Sequence, residues 1–141
     1  MKRNWILKYS IPATFAIVSF AAMPVAAEVA ALDGRVFVAD AGEKGKPADE
    51  KNDVITFAGG KFHSSACDQY GFSKGDYRAN GAGDSVTFEA ETQSEKDGRL
   101  VWKGTVRGAD IEGTFVHYRK GWLLNPNPEP VEHWFKGRVK T

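Results

Sequence analysis

The stretch that decides the fold reads LVWKGTVRGADIEGTFVH and covers residues 100–117. Large apolar residues alternate with polar ones on both sides of the Gly108-Ala109 pair, as in an antiparallel hairpin with one buried face. Glycine at the first of two turn residues is typical of a type II′ hairpin. The predicted register pairs Val106 with Ile111, Gly104 with Gly113, Trp102 with Phe115, and Leu100 with His117.

The same two-residue period recurs on both sides of this hairpin, and no segment keeps a helical period for more than two turns. We predict eight strands, at residues 32–38, 53–58, 61–66, 76–80, 84–92, 99–107, 110–118 and 132–140. Short turns join most of them, so the sequence predicts an all-β, eight-stranded antiparallel up-and-down meander. Eight such strands can close into a barrel; a two-sheet β-sandwich is the alternative.

Five aromatic residues fall on the inward face by this alternation. Apolar walls with few polar groups are typical of small-molecule sites. We therefore predict that a small apolar molecule binds inside the barrel, against Phe57, Phe62, Phe88, Trp102 and Phe115.

Residues 1–27 have the three parts of a cleavable, helical signal peptide. They carry Lys2, Arg3 and Lys8, then an uncharged run of 17 residues from position 11, and they end in small residues. A spanning helix needs about 20 apolar residues, so a retained anchor is the weaker alternative. We expect removal of this leader, a single β-barrel domain at residues 28–141 without a membrane span, and a periplasmic or secreted location.

The charge of the mature domain is close to balanced. The chain has 19 basic and 18 acidic residues; three basic residues lie in the leader, which leaves 16 against 18, or −2. A near-neutral domain has no electrostatic footprint for nucleic acid. We therefore expect a small apolar molecule or an envelope protein as the partner.

The strand-and-turn pattern resembles the bacterial lipocalin-like (calycin-type) small β-barrels of the cell envelope. The residues that carry the resemblance are Leu32-x-Gly34, Asp53-x-Ile55-x-Phe57, Gly60-Lys61-Phe62, Trp102-x-Gly104-x-Val106 and Gly108-x-x-Ile111-x-Gly113. The resemblance implies an eight-stranded barrel and the binding of a small apolar ligand or a protein partner. The chain lacks the disulfide pair frequent in envelope inhibitors of that shape, because Cys67 is its only cysteine.

Three connections are longer than tight turns. We predict a solvated loop at residues 39–52, and residues 68–72 form either a lid over a ligand or an aromatic plug. The connection at residues 120–131 carries Trp122-Leu123-Leu124 before three prolines. Aromatic anchors on a rigid connection suit a protein-binding or inhibitory surface, which is the alternative function.

His117 and His133 share faces with large apolar residues, on strands that neighbour each other in a meander. Two neutral imidazoles near one barrel end predict a metal or haem site as a second alternative. The simpler interpretation is a pair of rim histidines bonded to backbone or water, with no cofactor.

No acid, base and nucleophile converge in the sequence, which favours a non-catalytic protein. His63 and Cys67 are four apart, but His63 falls on a strand face that points outward. A catalytic thiol also needs a lowered pKa. We expect a sheltered Cys67, with pairing between chains or ligand binding as the alternatives.

Overall fold

The computed structural model describes residues 30–141. The predicted signal peptide at residues 1–27 therefore lies outside the described residues. Within residues 30–141, no helix has the length and apolar character needed to cross a bilayer.

Eight antiparallel strands follow one another around a closed barrel, and β1 pairs with β8 to complete the ring. The strands are β1 Val36–Glu43, β2 Glu50–Ala58, β3 Lys61–Ser64, β4 Gly75–Ala82, β5 Ser85–Ser94, β6 Gly98–Arg107, β7 Asp110–Tyr118 and β8 Val131–Val139. Each strand pairs with its neighbours in sequence, so the predicted up-and-down barrel is confirmed and the sandwich alternative is excluded.

The β6–β7 hairpin has the register that the sequence predicts. Val106 lies opposite Ile111, Gly104 opposite Gly113, Trp102 opposite Phe115, and Leu100 opposite His117. Gly108 takes a φ of +57° in the turn, a conformation that glycine adopts at little cost.

The beginning of the barrel differs from the sequence prediction. Residues Ala30–Leu32 form a 3₁₀ turn instead of a strand, β1 begins only at Val36, and β1 and β2 extend into the expected loop 39–52. Leu32 is completely buried, because the turn folds its side chain into the barrel. The strands extend because Ala39 and Ala41 face inward and are buried.

One end of the barrel is closed by this turn. Asp33 accepts hydrogen bonds from the Tyr77 hydroxyl (2.6 Å) and from the Gly60 amide (3.1 Å). Burial and the Asp33 carboxylate raise the pKa of Tyr77 well above its usual range, so the phenol stays a donor. We call this the closed end, where the turns at residues 59–60, 83–84 and 108–109 meet.

The opposite end carries the longer connections, at residues 44–49, 65–74, 95–97 and 119–130. We call it the open end. A 3₁₀ helix, Ser65–Tyr70, lies here and is called the rim helix below.

Candidate functional site

The barrel interior changes in character along its axis. Its middle is filled by aromatic rings, with Phe57 contacting Phe37, Phe62, Tyr77 and Phe88 at centroid distances of 4.9–6.1 Å. On β1, β2, β3 and β5 the inward residues become smaller or polar towards the open end, whereas on β6, β7 and β8 they become larger, as in Trp102, Phe115 and His133. The series are Phe37, Ala39, Ala41 on β1; Phe57, Ile55, Asp53 on β2; Phe62, Ser64 on β3; and Phe88, Ala90, Thr92, Ser94 on β5.

The small or polar inward residues of these four strands leave room for a cavity of about 420 Å³ at the open end. Such a volume lies in the range of small-molecule sites, about 300–1,000 Å³. Its walls come from β1, β2, β3, β6, β7, β8, the rim helix and the connections beside them. The residues that carry its chemistry are Asp49, Glu50, Asp53, Cys67, Tyr70, Phe72, Asp97, Leu100, Trp102, Phe115, His117 and His133.

The five predicted ligand-binding aromatics divide into two groups. Trp102 and Phe115 border the cavity and stack on each other at 4.2 Å between ring centroids. Phe57, Phe62 and Phe88 are buried and do not border it, because they pack against one another below it. Ligand binding by any of the five stays a prediction.

The two histidines of the predicted metal site both border the cavity. The His117 Nε2 lies 2.7 Å from the Asp97 carbonyl oxygen; a carbonyl only accepts, so Nε2 carries the proton and donates. The His133 ring stacks on Phe115 at 4.6 Å. Its Nδ1 atom is buried without a hydrogen-bond partner.

Burial lowers the pKa of His133, and the His117 imidazole lowers it further. His133 is therefore neutral at pH 7. Zinc sites in proteins take three or four protein ligands, and within residues 30–141 no three His, Cys, Asp or Glu side chains are grouped to hold an ion. The pair by itself is an incomplete ligand set for zinc, and haem binding by the two imidazoles stays a prediction.

Asp53 fixes the rim helix from inside the barrel. Its carboxylate accepts hydrogen bonds from the Ser64 hydroxyl (2.6 Å), the Ser65 hydroxyl (3.1 Å) and the Ala66 amide (2.9 Å). The side chain is only 5% exposed, and a buried carboxylate needs such donors. The sequence signal was present, since alternation from Phe57 and Ile55 places Asp53 on the inward face.

Cys67 borders the cavity as a protonated thiol. Burial raises its pKa to about 11, and the carboxylates of Asp53, Asp68 and Glu50 add to the shift. Reactive cysteines have lowered values instead. His63, the sequence neighbour considered with it, is not among the cavity residues; it lies opposite Thr56 and bonds Asp68 at 2.7 Å.

The segment 68–72, predicted as a lid or a plug, borders the mouth of the cavity. Phe72 is buried and contacts the His117 ring edge-on at 5.8 Å, whereas Tyr70 is 48% exposed. The Ser94 hydroxyl donates a hydrogen bond of 2.7 Å to the Tyr70 carbonyl oxygen. The segment therefore contributes Tyr70 and Phe72 to the lining of the cavity.

Trp122, Leu123 and Leu124 lie in the β7–β8 connection. Their exposed fractions are 60%, 94% and 79%. Two backbone hydrogen bonds between Trp122 and Asn125, of 3.0 and 2.9 Å, close a tight turn with the two leucines at its tip. We call this segment the apolar tip; partner binding by it stays a prediction.

A wider depression of about 860 Å³ crosses the outer wall over Gly104 and Gly113. It is open to solvent, and its charged side chains belong to outward positions of β4–β8. The Glu89 carboxylate lies 3.8 Å from the Lys103 ammonium. The Glu112 carboxylate lies 3.7 Å from the guanidinium of Arg107, a residue just outside the depression. The cavity at the open end is enclosed more fully and brings together more varied side chains.

Fold and site together define a closed, eight-stranded up-and-down barrel with a cavity at its open end. Comparisons of the chain with protein-family models, curated proteins and solved structures found no match.

Proposed function

We propose that this protein is an exported, non-catalytic binding protein that holds a small, mainly apolar molecule in the cavity at its open end. In this proposal it uses its barrel as the lipocalin-like envelope proteins do. The observation that carries the proposal is the cavity itself, with Trp102 and Phe115 as an apolar wall beneath a mouth lined by polar groups. Pockets of this composition fix a ligand by apolar contact and orient it with a few polar groups.

A cavity-blocking variant tests the proposal. Ala66 lines the cavity, so Ala66→Phe places a ring in the ligand volume. Ala109→Phe adds the same ring to an exposed turn at the closed end. We expect saturable quenching of tryptophan fluorescence by a panel of small apolar amines, alcohols and acids in the native protein and in A109F, and its loss in A66F.

A second readout uses Cys67, because its thiol borders the same cavity. A bound molecule should slow the reaction of Cys67 with a thiol reagent at pH 9. Binding that is saturable but equal in A66F and A109F, or that leaves the thiol unprotected, would place the ligand elsewhere and contradict the proposal.

Export is part of the proposal and has its own test. Mass spectrometry of protein recovered from the cell envelope or medium should find a mature chain that begins at residue 28. A chain that retains residues 1–27 would contradict it.

A second candidate function is favoured by one observation, the exposure of the apolar tip. Exposed apolar clusters often mark interaction surfaces. A photo-crosslinker in place of Leu123 should give discrete adducts in producing cells, whereas one in place of Thr114 on the outer wall should not. Equal labelling from both positions would remove the basis of this candidate.

A further inference from the structure

The Asp and Glu residues that line the cavity give it a negative charge, with no Lys or Arg among its described lining residues to balance it. Four acidic residues border it, Asp49, Glu50, Asp53 and Asp97. The Asp53 carboxylate already accepts three hydrogen bonds, from Ser64 and from the first turn of the rim helix. Within residues 30–141, the other three acidic residues take part in no ion pair.

The cations at the open end bind to groups away from the cavity. Lys44 pairs with Glu132 at 2.9 Å and Lys46 with Glu43 at 3.0 Å. The Lys120 ammonium donates to the Glu95 carbonyl at 2.7 Å. Lys96 donates to the Gln69 carbonyl of the rim helix at 3.5 Å. None of these four cations pairs with Asp49, Glu50 or Asp97, whose side chains are called the rim carboxylates below.

The walls below these carboxylates are aromatic. The Trp102 and Phe115 rings form a stacked pair, and Phe72 and Tyr70 border the same space. The Phe115 ring lies between the Trp102 and His133 rings, so this wall offers an apolar surface for the body of a ligand. An anion would meet the same carboxylates as like charges, which disfavours binding strongly.

We infer that the cavity takes an organic cation, an ammonium group carried on an aromatic or other apolar body. The body lies against Trp102 and Phe115, and the ammonium lies towards Asp49, Glu50 and Asp97. This inference rests on the proposed function and names the ligand class of the same site.

Three probes that share one apolar body separate the possibilities: 4-phenylbutylamine, 4-phenylbutanol and 4-phenylbutyrate. At pH 8 they carry positive, zero and negative charge. We expect the amine to bind at least about tenfold more tightly than the alcohol, and the acid to bind more weakly than both. The preference should shrink as salt is added, because the rim is partly exposed.

A matched pair of triple variants locates the charge effect. D49N/E50Q/D97N removes the rim carboxylates, whereas D76N/D84N/E112Q removes three exposed carboxylates elsewhere and changes the net charge equally. We expect the rim variant to lose about tenfold in amine affinity with little change for the alcohol, and the control to change either affinity less than about twofold.

The outcomes are distinct. If the alcohol or the acid binds as tightly as the amine, or if both triple variants weaken the amine equally, the cationic ligand class is wrong while cavity binding stands. If none of the three probes binds, the proposed function fails and the inference fails with it.

Discussion

At the scale of single residues, the unpartnered imidazole of His133 and the bonded imidazole of His117 form a natural comparison. Both rings border one cavity and contact a phenylalanine. The His117 Nε2 donates to the Asp97 carbonyl, whereas the His133 Nδ1 has no hydrogen-bond partner. A buried polar atom without a partner costs about 1–3 kcal/mol, so the two histidines should respond differently to replacement by phenylalanine.

We expect His133→Phe to leave the free energy of unfolding unchanged or higher by up to about 1 kcal/mol, because it removes the unpartnered atom and keeps the stacking. His117→Phe should lower it by about 1 kcal/mol through the lost hydrogen bond. Urea unfolding at pH 8 measures both. A larger loss in H133F than in H117F would contradict the structure.

The pH dependence of stability follows from the lowered pKa of His133. Below an ordinary imidazole pKa of about 6.5 the unfolded chain binds a proton that the folded chain does not. Stability should therefore fall as the pH drops from about 7 towards 5, and less so in H133F. Identical slopes for the two proteins would show that His133 titrates normally.

Cys67 gives a prediction on the alkaline side. Its folded pKa is about 11, so little thiolate exists at pH 8. Iodoacetamide should react with the folded protein much more slowly than with the urea-unfolded protein, and the folded rate should still be rising at pH 10. A rate that levels off near pH 8.5 would indicate an ordinary thiol.

At the scale of elements, the paired glycines of β6 and β7 let the barrel wall approach the aromatic core. A Cβ atom on Gly113 would lie 2.1 Å from the Lys103 carbonyl oxygen and 2.8 Å from the Phe135 ring. We expect Gly113→Ala to destabilise the protein by about 1–3 kcal/mol through overpacking. Thr114→Ala, an exposed change at the next position, should cost less than about 0.5 kcal/mol; equal losses would mean that the wall is loosely packed.

The rim helix depends on a single carboxylate from β2. Asp53→Ala removes the acceptor for Ser64, Ser65 and the Ala66 amide. Hydrogen bonds to a charged group contribute about 1.5–3 kcal/mol each, and the desolvation cost of the buried carboxylate, which the substitution also removes, offsets part of that loss. We expect the free energy of unfolding to fall by about 2–3 kcal/mol and amide hydrogen exchange to become faster across Ser65–Tyr70. The exposed Asp76→Ala serves as the control, and an unchanged exchange pattern in D53A would contradict the anchoring role.

The hairpins could be predicted because the residues that determine their turn and register lie close together in the sequence. Gly108-Ala109 fixes the β6–β7 register, and alternation then assigns every face of both strands. The extended ends of β1 and β2 were missed because Ala39 and Ala41 give a weak apolar signal. The 3₁₀ turn at Ala30–Leu32 was missed because Leu32 also fits the end of a strand pattern.

At the scale of the whole molecule, the cavity depends on ring closure and was only partly predictable. Ala41, Asp53, His117 and His133 belong to four strands, and only the β1–β8 pairing brings the first and last of these strands side by side. The alternation placed the five aromatic residues inside the barrel but did not determine the position of each along the barrel axis. The division into a filled middle and an open end follows from depth, which the strand stagger of a barrel sets.

The most direct test of a ligand site at the open end is a two-dimensional NMR titration of the labelled protein with 4-phenylbutylamine. The account predicts saturable shifts of the Trp102 indole and of the Cys67, His117 and His133 amides, with the Gly60 and Gly108 amides at the closed end unmoved. Saturable shifts centred on the outer wall around Trp134, or shifts that never saturate anywhere, would contradict it.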